Sequence, residues 1–320
     1  MTFHFEMTPN RTLVIGGAGY IGEHLVPMLI ASGRQVTVLG RSATPRYKLP
    51  EGAVYIPGDF GQLDLICRLL DSHQEVIHLA YATVPNTSFS NPLADLLQNL
   101  SPSVQLFEEA AKRATRLVFL SSGGTVYGEA MEIPIKENHP TNPISPYGIT
   151  KLTLENYARL FAVNNGLNFV CVRPSNAYGV GQRPFVGQGF ISTAIASIMQ
   201  GKAIKIFGLE GTVRDYLYVS DLAAGITSAL QHGHLSETYN LSSGVGLSNA
   251  DVVAAMTPCL TEMGFQVNVE NLPARHQDVK NNVLDSSKLK RHTGWNTEIS
   301  FCDGLVRTCR WMKRLLEQKE

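Results

Sequence analysis

Short apolar runs alternate with longer amphipathic stretches from Arg11 to about Arg173. This alternation is typical of βαβ units, in which parallel strands buried on both faces are joined by helices. We therefore expect an α/β fold built on a doubly wound, parallel Rossmann sheet. The predicted strands are residues 12–15, 35–39, 54–56, 76–79, 116–120 and 168–172, and predicted helices include 21–31, 93–114 and 147–165.

The pattern is less regular beyond Pro174. A glycine-rich loop at 179–189 precedes a predicted helix at about 190–200 and a strand followed by a helix over 214–230. We predict a dinucleotide-binding domain from residues 11–175 with about 215–245. A smaller mixed α/β substrate lobe would comprise about 176–214 and 246–320, and residues 1–10 would form a leader.

The composition narrows the classes of partner. Lys and Arg total 27 and Asp and Glu total 27, so neither nucleic acid nor an anionic membrane surface is an expected partner. The five cysteines lack a metal-binding spacing, and no apolar run reaches the roughly 20 residues of a membrane span. We expect a cytoplasmic protein without a metal site that binds a small molecule.

A glycine-rich segment follows the first predicted strand. Gly16, Gly19 and Gly22 are spaced three apart where a strand gives way to a helix, so that backbone amides and the helix dipole can meet a pyrophosphate. The segment predicts a site for a dinucleotide cofactor, either NAD or NADP.

The residues after the second strand bear on which dinucleotide is bound. An NAD site usually has an acidic residue there for the ribose 2′-hydroxyl, but this chain has Gly40, Arg41 and Ser42. Arginine with a neighbouring hydroxyl suits a 2′-phosphate, although a solvated loop arginine is an alternative. Asp59, which follows the third strand, is a candidate contact to the adenine, and the alternative is an ordinary Gly-Asp turn.

Tyr147 and Lys151 lie four residues apart on a predicted helix, so their side chains share one face. A nearby ammonium, helped by the charge of a nicotinamide, favours the phenolate form of a tyrosine, which could then act as an acid and base near neutral pH. Tyr147 is the predicted base and Lys151 the residue that tunes it. Without the glycine motif, the pair would suggest only a solvated contact.

A hydroxyl-rich turn follows the fifth strand. Residues 121–125 read Ser-Ser-Gly-Gly-Thr at the carboxyl edge, where open α/β sheets bind ligands. Thr125 and Ser122 are candidates for hydrogen bonds to a substrate oxygen. The alternative is a turn that satisfies its own backbone.

Together these residues resemble the UDP-sugar 4-epimerases of the extended short-chain dehydrogenase/reductase family. The resemblance covers nearly the whole chain and rests on the glycine motif, Tyr147 with Lys151, and the segments that follow. Those segments are Gly58-Asp59, His78-Leu-Ala80, Asn99, Thr125-Val-Tyr-Gly, Arg173-Pro-Ser-Asn176, Arg214-Asp-Tyr216 and Asp285 with Lys288.

The resemblance implies that a tyrosine takes the proton of a sugar hydroxyl while the C4 hydride passes to the nicotinamide and later returns to the opposite face. It places Asn176, Arg214 and Arg275 at the nucleotide diphosphate and Asp278 at the nucleoside sugar, with Thr125 at the substrate. It adds to the cofactor site Tyr20, Ile21, Phe60, Leu79, Ala80, Tyr81, Asn99, Ser121 and Pro174.

Four positions depart from the family pattern. Gly123 occupies the usual catalytic Ser/Thr position, Gly40 replaces the acidic reader of the ribose, and Thr83 stands where some galactose epimerases have a lysine. Asn282 stands where some members carry a bulky tyrosine, so the resemblance implies room for a 2-N-acetyl group.

Two other functions remain open. An NADPH-dependent reductase of a 4-keto nucleotide sugar would use the same Tyr147 and Lys151, and a silent dinucleotide sensor would use neither. A 4,6-dehydratase lacks support, because its acidic pair beside the strand-end threonine is absent here. The resemblance also implies a homodimer formed through helices at 93–114 and 147–165.

Overall fold

The computed structural model describes residues 10–274 and 279–318. The strands are β1 (Arg11–Ile15), β2 (Gln35–Gly40), β3 (Ala53–Pro57), β4 (Glu75–His78), β5 (Arg116–Leu120), β6 (Phe169–Pro174), β7 (Asn176–Tyr178), β8 (Ile204–Phe207), β9 (Val213–Tyr218), β10 (Glu237–Leu241), β11 (Gly246–Leu247), β12 (Val269–Leu272) and β13 (Asn281–Asn282). The helices are α1 (Tyr20–Ala31), α2 (Leu63–Leu70), α3 (Pro85–Ser90), α4 (Pro92–Asp95), α5 (Ser101–Lys112), α6 (Pro146–Asn165), α7 (Phe190–Met199), α8 (Val219–His232), α9 (Asn249–Glu262), α10 (Ser287–Thr293) and α11 (Phe301–Glu317).

Seven strands form one sheet in the order β10-β6-β5-β4-β1-β2-β3, and every neighbouring pair is parallel. The predicted Rossmann sheet is therefore confirmed. The strand order reverses between β1 and β4, so a crevice opens there at the carboxyl ends of the strands. This crevice is where such sheets place their ligands.

Side chains alternate along β1 and serve two apolar layers. Val14 faces the layer beneath α1 and α8, while Leu13 and Ile15 face the layer beneath α2, α5 and α6. All three are almost fully buried. Because helices cover both faces of the sheet, the strands are continuous apolar runs and do not alternate between apolar and polar residues.

The second part of the chain contributes a smaller lobe. Strand β9 pairs with β7, β11 and β13, and β8 pairs with β12. Helices α7, α9 and α11 pack on these strands around a separate apolar cluster. Strand β10 and helix α8 nevertheless join the main sheet. The division into two functional domains stays a prediction.

The single helix predicted for residues 93–114 is interrupted. A π-helical turn at Leu96–Leu100 separates α4 from α5. Pro102, at the start of α5, has no amide hydrogen, and its ring would clash with the carbonyl of Gln98 in a regular α-helix. The wider turn accommodates the proline.

Candidate functional site

The glycine loop brings the start of α1 close to the end of β1. Gly16 has φ +81°, and a Cβ there would lie 2.7 Å from the backbone nitrogen of Ala80. A Cβ on Gly22 would lie 1.9 Å from the carbonyl oxygen of Gly17. Only glycine fits these two contacts, and the close approach leaves the amino end of α1 facing the crevice.

A groove of about 1120 Å³ occupies this crevice. Nine of the predicted cofactor residues line it: Gly16, Gly19, Arg41, Ser42, Asp59, Phe60, Leu79, Ala80 and Tyr81. Gly40, which stands in place of the acidic residue, also lines it, and so do Arg46 and Tyr55, which the sequence analysis did not predict. The size and the glycine-lined floor fit a dinucleotide.

Other predicted cofactor residues lie around the groove without lining it. The ring of Tyr20 packs in the apolar cluster of the smaller lobe, and Ile21 packs beneath the sheet. Asn99 accepts a 2.7 Å hydrogen bond from the amide of Ala82, and Ser121 donates one of 2.5 Å to Glu155. Pro174 accepts from the amide of Gly123 at 2.9 Å. Of these contacts, the bond between Asn99 and Ala82 holds a residue that lines the groove.

Helix α6 carries Tyr147 and Lys151 into the cleft. The Ser145 hydroxyl caps the helix by accepting from the amide of Gly148 at 3.1 Å. Farther along, Glu155 forms a fully buried ion pair with Arg173 of β6, with nitrogen–oxygen distances of 2.8 and 2.6 Å. The cap and the ion pair fix the helix against the sheet.

The Lys151 ammonium lies in a buried, aromatic environment. Its Nζ donates to the carbonyl of Leu120 at 2.7 Å and sits 3.8 Å from the centroid of the Tyr81 ring. Nζ lies 5.6 Å from the Tyr147 centroid. Burial lowers the pKa of Lys151 to about 7, although the Cys171, Asp95 and Glu155 groups oppose that shift. Lys151 is thus poised to exchange a proton near neutral pH.

Tyr147 packs edge to face on Tyr81, at 4.9 Å between ring centroids. Burial and the negative charge of Asp95 raise the pKa of the Tyr147 phenol, while a hydrogen bond with Ser122 lowers it. Without a bound nicotinamide, the groups around Tyr147 favour the protonated phenol, and burial is the largest cause of the increase in its pKa. The phenolate expected from the sequence depends also on the charge of the nicotinamide and stays a prediction.

Asp95 is a buried carboxylate that the sequence reasoning missed. One oxygen accepts from Thr83, and the other accepts from Thr150 at 2.6 Å. Asp95 is completely buried at the end of α4. Thr150 precedes Lys151, so this carboxylate ties the catalytic face of α6 to the loop after β4. The sequence signal for a buried carboxylate here is an acidic residue among the otherwise apolar residues 93–97.

Close packing around the turn after β5 explains why residue 123 is a glycine. A Cβ there would lie 2.3 Å from Cδ1 of Leu284 and 3.0 Å from the carbonyl oxygen of Arg173. The buried Asn282 amide donates to the carbonyl of Gly123 at 3.0 Å. The Asn282 side chain is thus engaged in holding this turn.

Ser122 and Thr125 differ in their contacts. Ser122 reaches the Tyr147 phenol, as noted above, whereas the buried Thr125 hydroxyl has no hydrogen-bond partner among the described residues. Such an unpartnered buried hydroxyl is available for a ligand.

A second groove of about 560 Å³ lies beside the smaller lobe. Asn176 and Arg214 line it, as do Lys205, Phe207 and Gln182. Arg214 also donates to the carbonyl of Val213 at 2.8 Å. Arg275 and Asp278, the other two predicted substrate residues, lie outside the described residues. A positively charged groove of this kind suits a phosphorylated ligand.

Residues 10–274 and 279–318 contain no group of His, Cys, Asp and Glu side chains that could hold a metal ion. No helix in these ranges is long and apolar enough to cross a bilayer.

Comparisons with known proteins agree with this geometry. The model of the NAD dependent epimerase/dehydratase family matches residues 12–242. A putative UDP-glucose 4-epimerase of Methanocaldococcus jannaschii is 33% identical, over 94% of this chain and 98% of that protein. A dTDP-4-dehydro-6-deoxyglucose reductase of Escherichia coli is 28% identical, over 92% of this chain and 95% of that protein. The crystal structure of a UDP-glucose 4-epimerase with UDP-glucose from Thermotoga maritima superposes with a TM-score of 0.89 at 30% identity, covering 96% of this chain and 99% of that one.

Proposed function

Because the chain belongs to the NAD dependent epimerase/dehydratase family, we propose that it inverts C4 of a nucleotide-linked sugar, either a UDP-hexose or a UDP-N-acetylhexosamine. The enzyme is an isomerase of the extended short-chain dehydrogenase/reductase type. The observation that carries the proposal is the placement of Tyr147, which contacts Ser122 and packs on Tyr81 of the cofactor groove.

The residues of the larger groove would hold a nicotinamide dinucleotide, NAD or NADP. When bound, it accepts and returns the C4 hydride. The backbone amides of the loop from Gly16 to Gly19 would bind the pyrophosphate, and Asp59 and Phe60, which line the same groove, would bind the adenosine part. Asn99 would support this groove by holding the amide of Ala82, and Ser121 and Pro174 remain proposed cofactor contacts.

In its phenolate form Tyr147 would take the proton of the sugar 4-hydroxyl and become a phenol, while the C4 hydride passes to the dinucleotide and leaves a transient 4-keto sugar. The same phenol returns the proton after the sugar presents its other face. Ser122 supports this exchange by hydrogen bonding to the phenol, and the unpartnered Thr125 hydroxyl is available to bind a sugar oxygen. The Nζ of Lys151 lies beside the rings of Tyr81 and Tyr147 and adds positive charge there when it is protonated.

Asn176 and Arg214 of the second groove bind the nucleotide diphosphate in this proposal, and charge-assisted hydrogen bonds from the guanidinium suit a phosphate. Arg275 and Asp278 would complete the nucleotide contacts.

An NADPH-dependent 4-keto nucleotide-sugar reductase is the second candidate. The similarity to the Escherichia coli reductase and the arginine at position 41 favour it. It would use the same Tyr147 but consume reduced cofactor at every turnover.

A mass-balance assay distinguishes these functions. Purified enzyme is incubated with UDP-hexoses, UDP-N-acetylhexosamines and UDP-uronic acids, with sugars followed by NMR and the nicotinamide by absorbance. The expected result is interconversion of 4-epimers without net change in the nicotinamide. NADPH oxidation on a 4-keto sugar, without epimerisation of intact sugars, would establish the reductase instead. Dinucleotide binding without turnover in either assay would indicate a sensor.

We also propose a homodimer formed through the helices on one flank of the sheet. Leu93, Leu97, Ile149, Leu160 and Val163 are exposed on α4, the π-helical turn and α6. Apolar side chains exposed on neighbouring helices favour burial against a second copy. Light scattering should give twice the mass of one chain at micromolar concentration, and the mass of a single chain would refute the dimer.

A further inference from the structure

The carboxyl ends of β2 and β3 form one end of the cofactor groove. Gly40, Arg41, Ser42, Arg46 and Tyr55 line this end. Among the described lining residues, Asp59 is the only carboxylate, and its Oδ1 already accepts a 2.8 Å hydrogen bond from the amide of Gly61. This end of the groove is therefore rich in positive charge.

Tyr55 occupies the space that an acidic side chain at position 40 would need. A Cβ on Gly40 would lie 2.8 Å from the Tyr55 hydroxyl oxygen and 3.2 Å from its Cε2. The same hydroxyl donates to the carbonyl of Ser42 at 2.6 Å. The usual carboxylate that binds a ribose 2′-hydroxyl is thus absent and cannot be introduced at position 40 without moving Tyr55.

The loop that carries both arginines is anchored at two points. Tyr55 holds it at Ser42, and Tyr47 holds it next to Arg46 by donating to the carbonyls of Gly17 and Gly22 at 2.8 and 3.0 Å. The second anchor fastens the loop directly to the glycine segment. The loop is therefore fixed against the groove, so the two arginines belong to a preformed surface.

Neither arginine side chain is engaged by a described residue. Across the part of the chain that the structure describes, no side-chain hydrogen bond or ion pair involves Arg41 or Arg46, and both residues are exposed. The other arginines near the sheet edges, Arg34 and Arg113, are paired with carboxylates at 2.7 Å. Two unpaired guanidinium groups at one end of a groove match a phosphate, which each can bind through two parallel hydrogen bonds.

We propose that Arg41, Ser42 and Arg46 form a subsite for a 2′-phosphate monoester, so that the groove takes NADP(H) in preference to NAD(H). The inference rests on the proposed dinucleotide function of the groove and specifies which dinucleotide binds there. It departs from the NAD named in the family description.

Binding of adenosine phosphates tests the subsite without any turnover. Protein freed of nucleotide is titrated by calorimetry with 2′,5′-ADP and, separately, with 5′-ADP. Since a hydrogen bond to a charged group contributes about 1.5–3 kcal/mol, 2′,5′-ADP should bind roughly 10- to 100-fold more tightly. The advantage should shrink as salt is raised, because exposed charges are screened. NADP should show the same advantage over NAD.

Substitutions test which residues cause the preference for 2′,5′-ADP over 5′-ADP. Arg41→Ala with Arg46→Ala should remove the preference for 2′,5′-ADP and leave the affinity for 5′-ADP within about twofold. Arg68→Ala on α2 removes an exposed arginine outside the groove and should keep the preference. Arg46→Ala alone gives a second test should the double variant fold poorly, and it should lower the preference partway.

Equal affinity for the two nucleotides would overturn the subsite, and so would a preference that survives the double substitution. Failure of the subsite and failure of the epimerase proposal are distinguishable. Epimerisation by NAD-loaded enzyme with no 2′-phosphate preference would refute the subsite alone. A clear 2′-phosphate preference without epimerisation of any sugar would refute the epimerase alone.

Discussion

The cofactor groove and the catalytic cleft lie side by side but are built from different atoms. The groove is formed by backbone held close at Gly16 and Gly22, where a Cβ would collide with neighbouring main chain. The cleft is formed by side chains, among them Tyr147 and Lys151, whose properties depend on burial and on neighbours such as Asp95. The backbone site is recognisable from a short glycine pattern in the sequence, whereas the properties of the side-chain site follow from neighbours with no such local pattern.

The largest expected effect is a loss of turnover without a loss of cofactor binding. Tyr147→Phe removes the proton-exchanging phenol and should lower kcat by roughly 10²- to 10⁴-fold, with the dinucleotide Kd nearly unchanged. Steady-state kinetics and a binding titration measure the two quantities. Tyr157→Phe, an exposed tyrosine on the same helix, is the control and should keep full activity. Unchanged turnover in the Tyr147 variant would remove this residue from the mechanism.

A substitution in the groove should instead weaken dinucleotide binding. Gly16→Ala places a Cβ against the Ala80 backbone at a φ of +81°, so both the backbone and the groove must shift. We expect dinucleotide affinity to fall by roughly 10- to 100-fold, an interaction loss of about 1.4–3 kcal/mol.

Gly33→Ala is the matched control for that variant. Gly33 has a similar φ of +84° but nothing within 4 Å of its built Cβ. It should lower stability by about 1 kcal/mol and leave the affinity intact, since only conformational strain is added. Equal loss of affinity in both variants would show that strain, not contact, governs the groove.

The same contrast between the groove and the cleft explains which features could be predicted from the sequence. The parallel sheet and the glycine loop followed from residues close together in the chain, since apolar runs and glycine spacing are local signals. The close contact that excludes a side chain at Gly123 comes from Leu284, and the loop bearing Arg46 is held by Tyr55 of another strand. Asp95 was missed because its partners, Thr83 and Thr150, lie on different segments.

Substitutions in the turn after β5 test whether the cleft depends on contacts between residues far apart in the sequence. Gly123→Ala adds a Cβ only 2.3 Å from Leu284, and overpacking of this kind costs about 1–3 kcal/mol of unfolding free energy. Gly124→Ala is the control, since its nearest neighbour is the Asn176 side chain at 3.4 Å. Chemical denaturation of Gly123→Ala, of Leu284→Ala and of the double variant measures the coupling. Additive effects would mean that Leu284 does not select the glycine.

The smallest expected effect concerns the hydrogen bond between Ser122 and Tyr147, which lowers the pKa of the phenol. Ser122→Ala removes that bond, so the phenol pKa should rise and the acid limb of the pH–kcat profile should move upward. A neutral hydrogen bond contributes about 0.5–1.5 kcal/mol, which corresponds to a shift of up to about one pH unit. Thr153→Ala is the control, because that hydroxyl of α6 donates to the backbone of Ile149. A shift produced by Thr125→Ala but not by Ser122→Ala would transfer the role to Thr125, and the cleft would then be tuned by a hydroxyl that has no protein partner among the described residues.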